Sequence, residues 1–260
     1  MHRLIGTIGA CAALILILGS GTALAFESPL RYGVELRGGF GNYDLSDVRT
    51  GIEKMQATLN EKEIDNRLNK SDAGPAAGLS FLYCPSKHTM WEVGYNALLE
   101  VTNTVEMTNV DVPDTASGEI LMHAGEFFLK GYLVGTPSEH VRLNLGAGVA
   151  YYNANLQIQD NRQQRYNYDA TGRAFGLVAS AGVELLPLPR FGIVLQGGAR
   201  VANTQSYSYE VLPGTRTNLP IIGATSSSSR TMEVNLSGVY GLLGLRFYFD
   251  KVTRPVDYSR

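Results

Sequence analysis

Ten charged residues in this chain fall on one parity of a set of alternating segments: Glu35, Arg37, Glu92, Glu100, Glu126, Lys130, Arg142, Glu184, Arg200 and Arg246. Five are acids and five are bases. On an inward face, two chemistries are open to them. Matched signs can pair, because an unpaired charge in a narrow, poorly hydrated interior is expensive. Alternatively, they can line a pore and select solutes. Other reactive residues are sparse. Beyond residue 25 there are three histidines, His88, His123 and His140, and none has a metal spacing such as H-E-x-x-H. His88 and His140 fall in expected turns, and His123 falls on the outward parity. The spacing of His123 and Glu126 is the only hint of an acid–base pair. Asp111 and Asp114 sit in an expected loop, where two carboxylates are ordinarily solvated. There is no phosphate-binding loop, dinucleotide fingerprint or Cys/His cluster, so no cofactor and no metal is expected.

The elements that would carry these residues are strands. In 32–41, Tyr32, Val34, Leu36, Gly38 and Phe40 oppose Gly33, Glu35, Arg37, Gly39 and Gly41. In 91–101, Trp91, Val93, Tyr95, Ala97, Leu99 and Val101 oppose Glu92, Gly94, Asn96, Leu98 and Glu100. In 141–151, Val141, Leu143, Leu145, Ala147, Val149 and Tyr151 oppose Arg142, Asn144, Gly146, Gly148 and Ala150. Segment 191–201 repeats the pattern, with Phe191, Ile193, Leu195 and Val201 against Gly192, Gln196, Gly198 and Arg200. Period two with one apolar and one small or polar face is the strand pattern. Weaker alternation at 76–84, 120–134, 173–186 and 232–249 brings the expected number of strands to eight. Several run beyond the ~9–11 residues a tilted strand needs to cross a bilayer.

Composition narrows the class. The chain has 260 residues, 44% hydrophobic and 18% charged, with 29 Gly and a net charge of −2. A basic footprint for nucleic acid is missing, and the apolar content is too high for disorder. Only Leu4 to Leu18 approaches the length of a membrane-spanning helix. That run follows His2 and Arg3 and precedes Ala23-Leu24-Ala25, so residues 1–25 read as a secretory signal cleaved after Ala25. The expected organisation is a signal at 1–25, a barrel domain at 26–249 and a short tail at 250–260. Only Cys84 remains after cleavage, which leaves no intramolecular disulfide; a small packed residue is its expected role.

Connections alternate as well. Short links are expected at 85–89, 135–140 and 187–190, and long ones at 43–74, 106–119, 159–171 and 203–231. An even strand count with all tight turns at one end matches outer-membrane barrels. The last strand, Leu243-Gly244-Leu245-Arg246-Phe247-Tyr248-Phe249, alternates and closes on an aromatic. It resembles the terminal signature of bacterial outer-membrane proteins. Residues 26–249 as a whole resemble the small eight-stranded group, the opacity-protein and OmpA-transmembrane-like barrels. One departure is that Asp250 to Arg260 follow the aromatic end.

The fold expected is therefore all-β: an eight-stranded antiparallel up-and-down transmembrane β-barrel, with an amphipathic helix in the first outer loop. The helix is read from Val48, Ile52, Met55 and Leu59, with Ile64 and Leu68 beyond, between Ser46 and Lys70. Trp91, Tyr32, Tyr151 and Phe247 would sit at the membrane interfaces. The fourth loop, with Pro213-Gly214, Pro220 and Ser226 to Ser229, reads as flexible by composition. The resemblance implies a non-catalytic protein of a Gram-negative-type outer membrane, structural or surface-interacting. Its implied partners are outer-membrane lipid and lipopolysaccharide, with the barrel-assembly machinery during insertion and a surface partner of unknown identity. A narrow gated channel is the alternative. A lipid-modifying enzyme is a further one, although barrel lipid-A deacylases carry a His-x-Ser pair where this chain has His123-Ala124-Gly125-Glu126. A soluble barrel of lipocalin type, with the apolar faces inward, is the opposite architecture.

Overall fold

The computed structural model describes residues 32–43, 65–69, 71–108, 115–160, 168–188, 190–202, 208–212, 215–218 and 235–249, with Thr50, Glu53, Gln56, Ala57, Asn60 and Glu61. Eleven strands run in chain order: β1 (Tyr32–Asn42), β2 (Asp65–Asn69), β3 (Ala73–Ser86), β4 (Thr89–Thr108), β5 (Thr115–Ser138), β6 (Val141–Asp160), β7 (Tyr168–Leu188), β8 (Phe191–Ala202), β9 (Ser208–Leu212), β10 (Thr215–Asn218) and β11 (Gly238–Phe249). Eight of them close on themselves. β1 pairs with β3, each of β3 to β7 with the next, β8 with β11, and β11 with β1, every pair antiparallel. β2 adds to the outer end of β4, and the β9–β10 hairpin to the outer end of β7.

Register fixes the shape. From Tyr32 it runs through Tyr83, Trp91, Gly131, Ala147, Ala179 and Ala199 to Val239. The next step lands beside the Gly41–Tyr240 pair, at Asn42, ten residues above Tyr32 (42 against 32). Ten residues at ~3.3 Å, climbed over eight strand spacings of ~4.8 Å, set a tilt of about 40° and a backbone radius of about 8 Å. Side chains fill a tube of that width.

The faces are inverted relative to a soluble barrel. Leu36, Leu79, Val93, Leu129, Val149, Leu177, Leu195 and Leu243 are exposed on the outside, while Glu35, Glu92, Glu184 and Arg246 are buried inside. That excludes the lipocalin-type arrangement. Each residue climbs about 2.5 Å along the axis at this tilt, and the exposed aliphatic band is then about 25 Å tall, the height of an outer-membrane barrel's apolar belt. Aromatics rim it. Tyr32, Tyr83, Trp91, Phe191, Phe247 and Phe249 stand at the end with the tight turns. At the other end, Tyr95, Phe127, Tyr151 and Phe175 follow one another in register across β4 to β7.

Above that second rim the polarity flips. On β6, Asn153, Asn155 and Gln159 are exposed, while Ala154 and Leu156 are buried. On β7, Asp169 and Arg173 are exposed, and Ala170 and Ala174 are buried. On β5, Ile120, Met122 and Ala124 point inward. The upper parts of β4 to β7 thus have the polarity of a water-soluble sheet. They form a wall that, among the described residues, rises above the ends of β1, β3, β8 and β11; at ~2.5 Å per residue the 24 residues of β5 rise about 60 Å.

Several expectations need correction. The loops expected at 106–119 and 159–171 begin and end as strand, at 106–108, 115–119, 159–160 and 168–171, because the alternation runs into them with its sign reversed; 109–114 and 161–167 lie outside the described residues. Val101, expected outward, is buried, because a bulge between Leu98 and Val101 shifts the register and flips the face. The first-loop helix is not confirmed: Val48, Ile52, Met55, Leu59 and Ile64 lie outside the described residues, and residues 65–69 are strand, paired with β4. The fourth loop carries the β9–β10 hairpin, in which Leu212 pairs with Thr215; Pro213 and Gly214 lie outside the described residues. The signal at 1–25 and the tail at 250–260 also lie outside the described residues.

Candidate functional site

The lumen at the level of the aliphatic band is filled by one connected set of charged and polar side chains. Arg246 Nε donates to Glu35 Oε2 at 2.5 Å, and its Nη1 donates to Glu184 Oε2 at 3.1 Å. Tyr248 OH donates to the other oxygen of Glu184 at 2.5 Å. Arg37 Nη1 lies 3.6 Å from Glu35 Oε1 and donates to Glu92 Oε1 at 2.5 Å. Arg37 Nε donates to Asn96 Oδ1 at 2.9 Å, and Asn96 Nδ2 donates onward to Glu126 Oε2 at 2.6 Å. Glu126 also accepts from Tyr152 OH at 2.7 Å and faces Arg200 Nη1 at 3.7 Å. Tyr132 OH donates to Glu92 Oε2 at 2.5 Å, while accepting from Gln196 Nε2 at 2.8 Å and from Ser180 Oγ at 3.2 Å. These contacts tie together every barrel strand except β3.

Lys130 is held differently. Its Nζ is 3.7 Å from Glu92 Oε2 and makes no hydrogen bond, but lies 4.2 Å from the centroid of Phe128. Arg37 Cζ stands over the same ring, 4.5 Å from its centroid. Arg200 stacks between Tyr43 and Tyr240, at 4.6 and 5.4 Å. Cation–ring contacts of this kind strengthen when desolvated.

Glycine makes room for these large groups. A Cβ on Gly146 would stand 2.4 Å from Tyr132 Cδ1, and one on Gly94 would stand 2.6 Å from Phe128 Cζ. Inward glycines therefore sit under the bulky members of the network. Apolar layers lie at both ends. Leu82, Cys84, Met90, Leu186 and Tyr248 pack together towards the tight turns. Leu98, Val101, Ile120, Met122, Ala154, Leu156 and Leu236 pack towards the long loops.

Closure of eight strands, buried charge within and an aromatic-rimmed aliphatic belt without decide the architecture. The fold is the small eight-stranded transmembrane barrel of bacterial outer membranes. No known protein-family profile matches the sequence, and no curated protein matches it. Solved structures similar to the barrel are outer-membrane proteins. OprG from Pseudomonas aeruginosa shares 14% identity at a TM-score of 0.48, covering 85% of this chain and 97% of its own. AlkL in lipid bilayers shares 10% at 0.44, covering 90% and 98%. Neisserial surface protein A shares 12% at 0.36, covering 86% and 100%.

The barrel places the ten charged residues unequally. Glu35, Arg37, Glu92, Glu126, Lys130, Glu184, Arg200 and Arg246 are buried and in contact through the set above. Arg142 is half-buried at the edge, paired in register with Glu184, with its guanidinium 5.3 Å from the Tyr248 ring. The side chain of Glu100 lies outside the described residues. Sequence reasoning missed the polar uncharged members, Asn96, Tyr132, Tyr152, Ser180, Gln196 and Tyr248. Their inward parity was the available signal. His123 is half-buried on the outside of β5, and His88 and His140 lie in the tight turns. Among the described residues there is no group of three or more His, Cys, Asp or Glu able to hold a metal ion.

Proposed function

We propose that this protein is a closed, non-catalytic outer-membrane barrel that holds a tall extracellular wall and its loops outside the membrane as a contact surface. One observation carries the reading: the lumen is filled by a neutralised ion-pair network with an apolar layer above it and another below. Four buried acids face four buried bases, Glu35, Glu92, Glu126 and Glu184 against Arg37, Lys130, Arg200 and Arg246. A conducting pore needs sites weak enough to let an ion leave. Here the carboxylates are engaged by guanidinium and phenol groups at hydrogen-bond distance, and ions would also have to cross both apolar layers. The wall of β4 to β7, with soluble polarity and its own interior, is the part suited to outside contact.

Single-channel recording tests this. The full-length protein, refolded into planar bilayers, is expected to give no stable conductance steps. Reproducible steps whose ion selectivity changes in Glu126→Gln or Arg200→Gln would overturn the reading in favour of a narrow channel.

A further inference from the structure

Directly above the outer aromatic rim, on β5, β6 and β7, the outside of the barrel carries a compact polar patch. Asn153 pairs in register with Arg173, and Asn155 pairs with both His123 and Thr171. Register neighbours on one face of a sheet stand about 5 Å apart, so the five side chains cover an area of roughly one sugar ring. Asn153, Asn155 and Arg173 are exposed. Immediately below are Phe127, Tyr151 and Phe175, with Tyr151 and Phe175 in ring contact at 5.1 Å, and then the exposed aliphatics Leu129, Val149 and Leu177. Elsewhere the top of the belt is apolar: Phe40 on β1, Val201 on β8 and Val239 on β11 are all more than half exposed, at 69%, 51% and 61%.

The order from the middle of the membrane outward is aliphatic, aromatic, amide and hydroxyl, then cation. We infer that the patch around Asn153, Asn155 and Arg173 seats one phosphorylated glycolipid of the outer leaflet, with acyl chains, sugar and phosphate meeting those layers in turn. The inference rests on the outer-membrane placement but not on whether the lumen conducts. The patch continues the lipid-facing surface upward without a break, so its occupant is a membrane lipid rather than a soluble molecule. Amide side chains suit sugar hydroxyls. A guanidinium offers a phosphate two parallel donors and makes charge-assisted bonds about twice as strong as neutral ones. Asp169, exposed further up β7, marks the upper limit, since it would repel a phosphate.

Native mass spectrometry of the full-length protein in detergent tests the assignment, with lipid A, dephosphorylated lipid A and phosphatidylglycerol as probes. Lipid A is expected to be retained about tenfold more strongly than either of the others. Arg173→Glu and the pair Asn153→Asp with Asn155→Asp should each weaken retention about tenfold. Both changes are on an exposed face, and heat-modified gel migration verifies that each variant is folded. Lys87→Glu, in a tight turn at the other end, should change nothing. Equal retention of phosphatidylglycerol, or lipid A retention unaltered in either folded variant, would overturn the proposal.

Discussion

Glu92 is where the dryness of the lumen can be measured. Its carboxylate takes Arg37 and Tyr132 at hydrogen-bond distance and lies 3.7 Å from Lys130 Nζ. Glu92→Gln keeps the shape and an acceptor oxygen for Tyr132 but removes the charge. Arg37 retains Glu35 at 3.6 Å. Lys130 is left facing ring faces. At 3.7 Å, two unit charges interact by about 4 kcal/mol at an effective dielectric of 20, and by about 1 kcal/mol in bulk water. Breaking a buried pair by removing one partner costs about 3–5 kcal/mol, whereas an exposed pair contributes about 0–1. Guanidinium unfolding of the barrel in lipid bilayers reads the difference. The emission of Trp91, the single tryptophan, half-exposed at 50% on the lipid face, reports release from the membrane. A loss of about 3 kcal/mol or more is expected for Glu92→Gln, with at least half of it recovered when Lys130→Met is added. A loss under about 1 kcal/mol, with no recovery in the double variant, would mean that the lumen is water-filled, and the argument for a sealed barrel would fail.

Other outcomes follow from the same geometry. Gly146→Val should lose at least about 2 kcal/mol in the same unfolding assay, because its side chain would occupy the space of the Tyr132 ring. Leu129→Arg, within the lipid-facing belt, should lose about 2–4 kcal/mol, whereas Asn153→Arg, above it, should stay within about 1; equal losses would refute the placement of the membrane boundary. Asn103 uses its side-chain amide as a strand uses its backbone, accepting from Ser71 N at 3.0 Å and donating to Ser71 O at 3.4 Å. Asn103→Ala should therefore speed amide hydrogen exchange in β2 while leaving exchange in β1 and β11 unchanged.

The eight membrane strands were legible because lipid and lumen impose opposite demands on successive residues, and Trp91 to Leu99 or Leu143 to Tyr151 obey them in plain alternation. The tall wall was not. At Asn153 to Gln159 the outward positions turn polar while Ala154, Leu156 and Ile158 stay apolar. The pattern keeps its period but reverses its sign, and a polar run of that kind reads as a loop. One extra residue at Leu98–Val101 hid the facing of upper β4, since parity alone cannot register a bulge. Which charges would lie inside could be read from the sequence, but which would meet could not. Arg246 reaches Glu35 across one strand boundary and Glu184 across β8, and such meetings depend on a ten-residue stagger summed over eight registers. In the first loop, spacing suited to a helix coexists at residues 65–69 with an edge of β4 that accepts a strand.

The polarity reversal at the outer rim also fixes how the barrel sits in its bilayer. A rise by one residue pair, ~5 Å, would carry Phe127, Tyr151 and Phe175 into water, and an equal fall would sink Asn153 and Arg173 among acyl chains. Bilayers deform at fractions of a kcal/mol per ångström of mismatch, far less than either displacement would cost. The surrounding lipid is therefore the partner that yields: an annulus about 25 Å thick in its hydrocarbon should travel with the barrel, and neighbours with belts of similar height are those beside which it would strain the membrane least.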